Sequence, residues 1–228
     1  MDWRASLWSK RGGKETEDLH GYHDALKAVA IAKAEASDGA SRAAALKLSQ
    51  FDSKGKIQPT WGPLIRVILA LHGKSAERQG VKDFQRCELG REDGENCVLD
   101  LSALSSPSKS ARILDGFGYS WLRKEEKEAS LIWPRCDSLR VKLTRHKPSL
   151  VLFYGLDEKR YWERISAQQF SPSKKLGQLW LAGGESTLFA MMPHPVNLNT
   201  RLPEKGPGAV KTFLAAVGSV LREELSQP

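Results

Sequence analysis

The sequence predicts an α/β fold: three αβα layers around a central, mostly parallel four-stranded sheet, with extra N-terminal helices. Three observations lead there. Short apolar runs at Cys97 to Leu101, Leu150 to Tyr154, Leu179 to Leu181 and Thr187 to Met191 read as strands. Segments of helical spacing lie between them, and such alternation argues for a parallel sheet covered on both faces. The composition is that of a globular domain, 40% hydrophobic and 27% charged over 228 residues. A chain of this length buries roughly 70–75% of the surface exposed when unfolded, enough for one core. One domain over 1–228 is expected, with 1–13 as a poorly ordered arm and 14–50 as N-terminal helices.

In chain order, Leu26, Val29, Ala30 and Lys33 keep helical spacing, as do Ala43, Leu46 and Lys47 beyond the break at Ser37-Asp38-Gly39. A breaker-rich stretch from Phe51 to Pro63 follows. Pro63 suits the start of an apolar helix from Leu64 to Leu71, which Gly73 stops. A basic helix is expected around Lys82 to Leu89, then glycine turns at Gly90 and Gly94. Cys97 to Leu101 reads as a buried strand running into a polar loop, Ser102 to Ser110. A long charged helix spans about Lys124 to His146 and is ended by Pro148. Leu150 to Tyr154 is the clearest strand, and Gly155 stops it. A short helix carries Tyr161, Trp162 and Ile165. The last helix, about Ala209 to Leu225, buries Val210, Phe213, Leu214, Val217 and Leu221.

Several classes of function are excluded. No apolar run reaches the roughly 18–20 residues that span a bilayer. Met1-Asp2-Trp3-Arg4 begins no apolar leader core, so the expectation is a cytoplasmic chain without a membrane partner. Cys87, Cys97 and Cys136 are too few and too scattered for a disulfide framework, a zinc site or a four-thiolate iron–sulfur cluster. His20 and His23 have no third ligand nearby, so no metal and no cofactor is expected. Phosphate-cradling, dinucleotide-binding and nucleophile-elbow motifs are all missing. The net charge of +8 favours a polyanionic partner, nucleic acid above all.

In an open α/β sheet, ligands bind beyond the carboxyl ends of the strands. Attention therefore falls on the loops after Leu101, Tyr154 and Met191. The last reads Met192-Pro193-His194-Pro195-Val196-Asn197-Leu198-Asn199, and upstream stands Lys147-Pro148-Ser149-Leu150-Val151-Leu152-Phe153-Tyr154-Gly155. With Cys97 to Pro107 and Trp61-Gly62-Pro63-Leu64, these segments resemble, in order, the motifs of the uracil-DNA glycosylase superfamily. The resemblance covers about Gln58 to Leu225. Each motif is short, and their order carries more weight than any one of them.

The resemblance implies a monomeric, monofunctional DNA glycosylase needing no cofactor. His194 would donate to a base carbonyl as charge develops on the departing base, and Leu198 would wedge into the vacated stack. The superfamily's N-terminal catalytic motif is not legible. Ser49-Gln50-Phe51-Asp52 stands nearest to its place, and Asp52 is either the residue that positions water or the start of a turn. Gln50, Phe51, Trp61, Asp100 and Ser102 are the candidate base-binding residues, though Phe51 and Trp61 suit a core equally well. Where uracil-excising members commonly present asparagine, this chain has Leu99-Asp100-Leu101-Ser102. A carboxylate there accepts from an exocyclic amine such as cytosine N4 and repels a carbonyl. A modified cytosine-type base, as in some phage DNA, fits better than uracil, with antiviral defence as the setting; the alternative is that Asp100 caps local backbone. Candidate DNA contacts are Lys54, Lys56, Ser106, Ser108, Lys109, Asn197, Leu198, Asn199 and Arg201. Two other classes stay open: a non-catalytic nucleic-acid-binding module on the same fold, and a small-molecule enzyme using the same sheet end.

Overall fold

The computed structural model describes residues 56–91, 94–99, 101, 128–184 and 186–227. The expected N-terminal arm and helices, and the loop from Ser102 to Ser110, lie outside these residues. Contacts divide the chain into two compact units. Of the described residues, one unit holds 56–65, 76–91 and 94–99, and the other holds the rest.

The division falls within helix α1, Trp61–Leu71. This helix begins before Pro63, three residues ahead of the expected Leu64. Proline is tolerated there because the first-turn N–H groups have no partner within a helix. Side chains serve those groups instead: Gln58 Oε1 accepts from the Trp61 N–H at 2.6 Å. In the first unit, helix α2, Arg78–Cys87, buries Val81, Phe84 and Gln85. Gln85 is 2% exposed and fully engaged, its Oε1 accepting from the Gln58 N–H and its Nε2 donating to the Lys56 carbonyl. Arg91 donates to the carbonyls of Arg86 and Cys87 and so closes the carboxyl end of α2.

Beyond α2 the expected buried strand at Cys97 to Leu101 does not form among the described residues. Asn96 folds the chain back by donating to the Glu88 carbonyl and accepting from the Gly90 N–H. Cys97 is exposed, and Val98 and Leu99 are half-buried. A short apolar run needs a ladder partner to become a strand, and none of the described strands pairs with this one.

In the second unit a π-helical turn, Glu128–Ile132, leads into α3, Trp133–His146. The expected continuous α-helix breaks here because Pro134 removes a donor and its ring blocks the carbonyl four residues back. Lys147 ends α3 in a left-handed conformation, φ 44°, its N–H donating to the Leu143 carbonyl at 2.8 Å. Pro148 prevents further helix, and β1, Leu150–Tyr154, follows. After a 3₁₀ turn, Leu156–Glu158, come α4, Lys159–Ser166; β2, Ser171–Pro172; β3, Trp180–Gly183; and β4, Leu188–Met192. A second 3₁₀ turn, Pro195–Asn197, precedes the short α5, Leu198–Arg201, and α6, Pro207–Leu225, closes the chain.

The protein is α/β, and among the described residues the sheet has four strands in the order β1-β4-β3-β2. β1 runs parallel to β4, while β4 with β3 and β3 with β2 are antiparallel, so the sheet is mixed rather than mostly parallel. The reason lies in the connections. Parallel neighbours need a crossover of about a dozen residues or more. Only a glycine-containing turn, closed by Gly184 N–H to the Thr187 carbonyl, joins β3 to β4. α4 and its neighbours separate β1 from β4, and those two can run parallel.

Phe153 of β1 organises an aromatic core on one face of the sheet. It stacks on Trp162 of α4 at 5.0 Å and on Phe189 of β4 at 6.3 Å, and meets Phe170 edge-on at 5.9 Å. Side chains alternate along a strand, so Tyr154 points to the opposite face. On α6, Phe213, Leu214, Val217 and Leu221 are buried. Gly218 of α6 lets this helix meet the carboxyl half of α1: a Cβ at that position would lie 2.5 Å from Ala70 Cβ. Arg222, one turn on, donates to the Leu71 and Ala70 carbonyls at the end of α1.

Candidate functional site

The carboxyl ends of the parallel pair β1 and β4 create the candidate site. Each strand continues into a 3₁₀ turn, and between these turns lies a shallow cleft that opens to solvent. Gly155, Leu156, Asp157, Pro193, His194, Asn197 and Arg201 line it.

Gly155 forms the floor and has a reason to be glycine. Its φ is 94°, which L side chains rarely adopt. Its N–H donates to the Met192 carbonyl at 2.9 Å, fixing the end of β1 to the end of β4. Its carbonyl accepts from Trp162 Nε1 at 2.9 Å inside the core. The cleft floor is thus held from both sides by groups that water does not reach.

His194 is half-buried and meets Tyr154 edge-on at 5.3 Å. Its Nδ1 accepts, at 3.4 Å, the N–H of Val196 in the 3₁₀ turn it caps. A neutral imidazole accepting at Nδ1 carries its proton on Nε2, which makes Nε2 the donor. Across the cleft, Arg201 at the end of α5 is paired with Asp157, Nη2 to Oδ2 3.1 Å and to Oδ1 3.4 Å. The cleft therefore offers an imidazole, an amide from Asn197 and a cation already matched by a carboxylate.

Apart from Leu198 and Asn199, the sequence-predicted residues divide into three groups. His194, Asn197 and Arg201 are brought together in the cleft. Gln50, Phe51, Asp52, Lys54, Asp100, Ser102, Ser106, Ser108 and Lys109 lie outside the described residues. Lys56 and Trp61 belong to the first unit, where Lys56 is exposed and Trp61 is half-buried.

Two expectations change. Leu198, the expected wedge, is 1% exposed and packs into the core as the first residue of α5. A side chain so buried cannot enter a base stack without unfolding its own turn. The exposed apolar residue of this loop is Val196, at 55%. Asn199 is exposed, but its Oδ1 accepts from the Gly206 N–H and holds the approach to α6.

Asp157 is the cleft residue that sequence reasoning missed. The available signal was its position, two residues past Gly155 at the end of the clearest strand, where an α/β sheet places its ligands. Among the described residues no group of three His, Cys, Asp or Glu is arranged to hold a metal ion. Nor is any helix among them long and apolar enough to cross a membrane. No protein-family model matches the chain, and neither the curated proteins nor the solved structures yield a match.

Proposed function

We propose that the protein is a DNA glycosylase that flips a nucleotide and hydrolyses its N-glycosidic bond. The supporting observation is the placement of His194 beside Asn197 and Arg201 at the ends of two parallel strands. This suits the role that the order of the sequence motifs assigns to the loop. Extrusion of a nucleotide costs a few kcal/mol, offset by contacts to the flipped base and its flanking phosphates. His194 Nε2–H then donates to a base carbonyl oxygen and stabilises the negative charge that gathers there as the bond breaks. The sequence reading assigns the water-orienting role to Asp52 and acceptance from an exocyclic amine to Asp100, both outside the described residues, and that assignment directs the enzyme to a modified cytosine-type base rather than uracil. In this reading the fold is the three-layer αβα arrangement of the superfamily. The protein acts as a cytoplasmic monomer without cofactor, and excision of phage-modified bases in antiviral defence is its setting.

The test is alkali-revealed strand cleavage on labelled duplexes carrying uracil, cytosine, hydroxymethylcytosine or glucosylated hydroxymethylcytosine. Cleavage of a cytosine derivative is expected, lost with Asp52→Ala and slowed about 10²–10³-fold by His194→Ala. Excision of uracil with none of cytosine derivatives removes the base assignment.

The burial of Leu198 favours a second reading, a nucleic-acid-binding module on the same fold that does not extrude bases. It requires salt-sensitive duplex binding with no cleavage on any member of the panel.

A further inference from the structure

The Asp157–Arg201 pair lies at the wall of the cleft, Asp157 on the 3₁₀ turn after β1 and Arg201 at the end of α5. Both side chains are more than half exposed, Arg201 at 53% and Asp157 at 67%. An exposed pair of this kind contributes little to stability. Among the described residues, the hydrogen bonds of Arg201 go to the two oxygens of one carboxylate. A guanidinium engaged by a carboxylate in this way presents the same donors that a phosphate takes. Its neighbours in sequence are committed elsewhere: Asn199 to Gly206, and Lys205 to the carbonyls of Thr200 and Leu202. Arg201 is thus the cation of this loop that can change partner without dismantling the loop.

We propose that Asp157 is an exchangeable counter-ion: it occupies Arg201 in the unbound protein and yields it to a backbone phosphate when DNA enters the cleft. Asp157 is then a positioning residue that sets affinity. It keeps Arg201 at the cleft wall in the orientation a phosphate needs, and it opposes weak or misplaced polyanions by occupying those donors. A phosphate seated correctly, with Asn197 and the His194 loop engaged, displaces the carboxylate into solvent. This inference rests on the reading of the cleft as a DNA site, but not on catalysis.

Fluorescence anisotropy with a labelled duplex, across a salt series, tests it in the full-length chain. Asp157→Asn is expected to tighten binding about fivefold, the scale of an exposed ion pair. Asp157→Glu should stay close to wild type, because it restores the competing charge. Arg201→Gln should weaken binding and reduce the slope of log affinity against log salt by about 0.9, the contribution of one neutralised phosphate. In the Arg201→Gln background, Asp157→Asn should then have no further effect. A purely structural role would not move the salt slope. Duplex binding that is intact but unaltered by Asp157→Asn overturns the exchange and leaves the DNA reading standing. Absence of duplex binding by the wild-type chain at low salt overturns both.

Discussion

At the scale of single residues, Gly155, His194 and the cysteines lead to separate expectations. A Cβ on Gly155 would meet only Glu158 Cγ, at 3.5 Å, so space is not its constraint; φ is. Gly155→Ala is expected to cost about 1–3 kcal/mol, seen as a lower urea midpoint with an unchanged slope. An unshifted midpoint would mean that the turn relaxes at no cost. For His194→Ala, the expected loss in kcat is about 10²–10³-fold with duplex affinity retained, the pattern of a donor used only in the transition state. If affinity falls instead, the ring serves binding. Burial pushes the Cys136 thiol up from its usual pKa, whereas Cys87 and Cys97 are exposed. A thiol reagent should therefore modify Cys87 and Cys97 in the native protein and Cys136 only after unfolding. Rapid modification of all three would contradict the burial of Cys136.

At the scale of elements, close helix contact and one ion pair can be tested. Gly218→Ala would place a Cβ 2.8 Å from the Leu71 nitrogen and 2.9 Å from the Val67 carbonyl oxygen. Backbone cannot step aside as a side chain can, so α6 must move off α1. The expected cost is about 1–3 kcal/mol, exceeding the ~1 kcal/mol that alanine gains over glycine in a helix. A thermal melt showing stabilisation would sink this account. Between α3 and α4, two hydrogen bonds from Arg164 hold the Asp137 carboxyl below the usual carboxylate range. A lowered folded-state pKa supplies stability above the unfolded value of about 3.9, lost as pH falls through the folded value. Asp137→Asn should accordingly flatten the acid side of the stability profile below about pH 4 and leave its alkaline side unchanged.

How far the elements were legible follows from the kind of signal each carried. β1 was plain because Pro148 and Gly155 bracket an unbroken apolar run. α4 and α6 were plain because their apolar residues repeat at helical spacing. β2 escaped notice because a two-residue strand ending in Pro172 has neither length nor alternation, and proline is tolerated only at a sheet edge. The antiparallel return of β4 was in fact readable from Gly183-Gly184, too short a connection for a crossover. The candidate site was half legible. His194, Asn197 and Arg201 sit on one short stretch of sequence, from the turn after β4 to the end of α5, that a motif could flag. Asp157 sits on another and meets Arg201 only through the pairing of β1 with β4. Leu198 was misread because a leucine after a proline turn looks the same in sequence whether it faces solvent or core.

For the whole molecule, the net charge of +8 sets the expected behaviour toward polyanions. A duplex contact neutralising about four phosphates should weaken about 10²-fold between about 50 and 200 mM salt. Binding that ignores salt would assign the cleft to a small neutral ligand instead. The bond from Trp162 Nε1 to the Gly155 carbonyl has a consequence for motion. Its indole proton lies inside the aromatic core, on the strut that supports the cleft floor. That proton exchanges with deuterium only when the strut lets go. In an indole-region NMR spectrum, its exchange rate becomes a clock for opening of the cleft. A ligand that locks the floor should slow the clock, whereas one that merely touches the rim leaves it running at its resting rate.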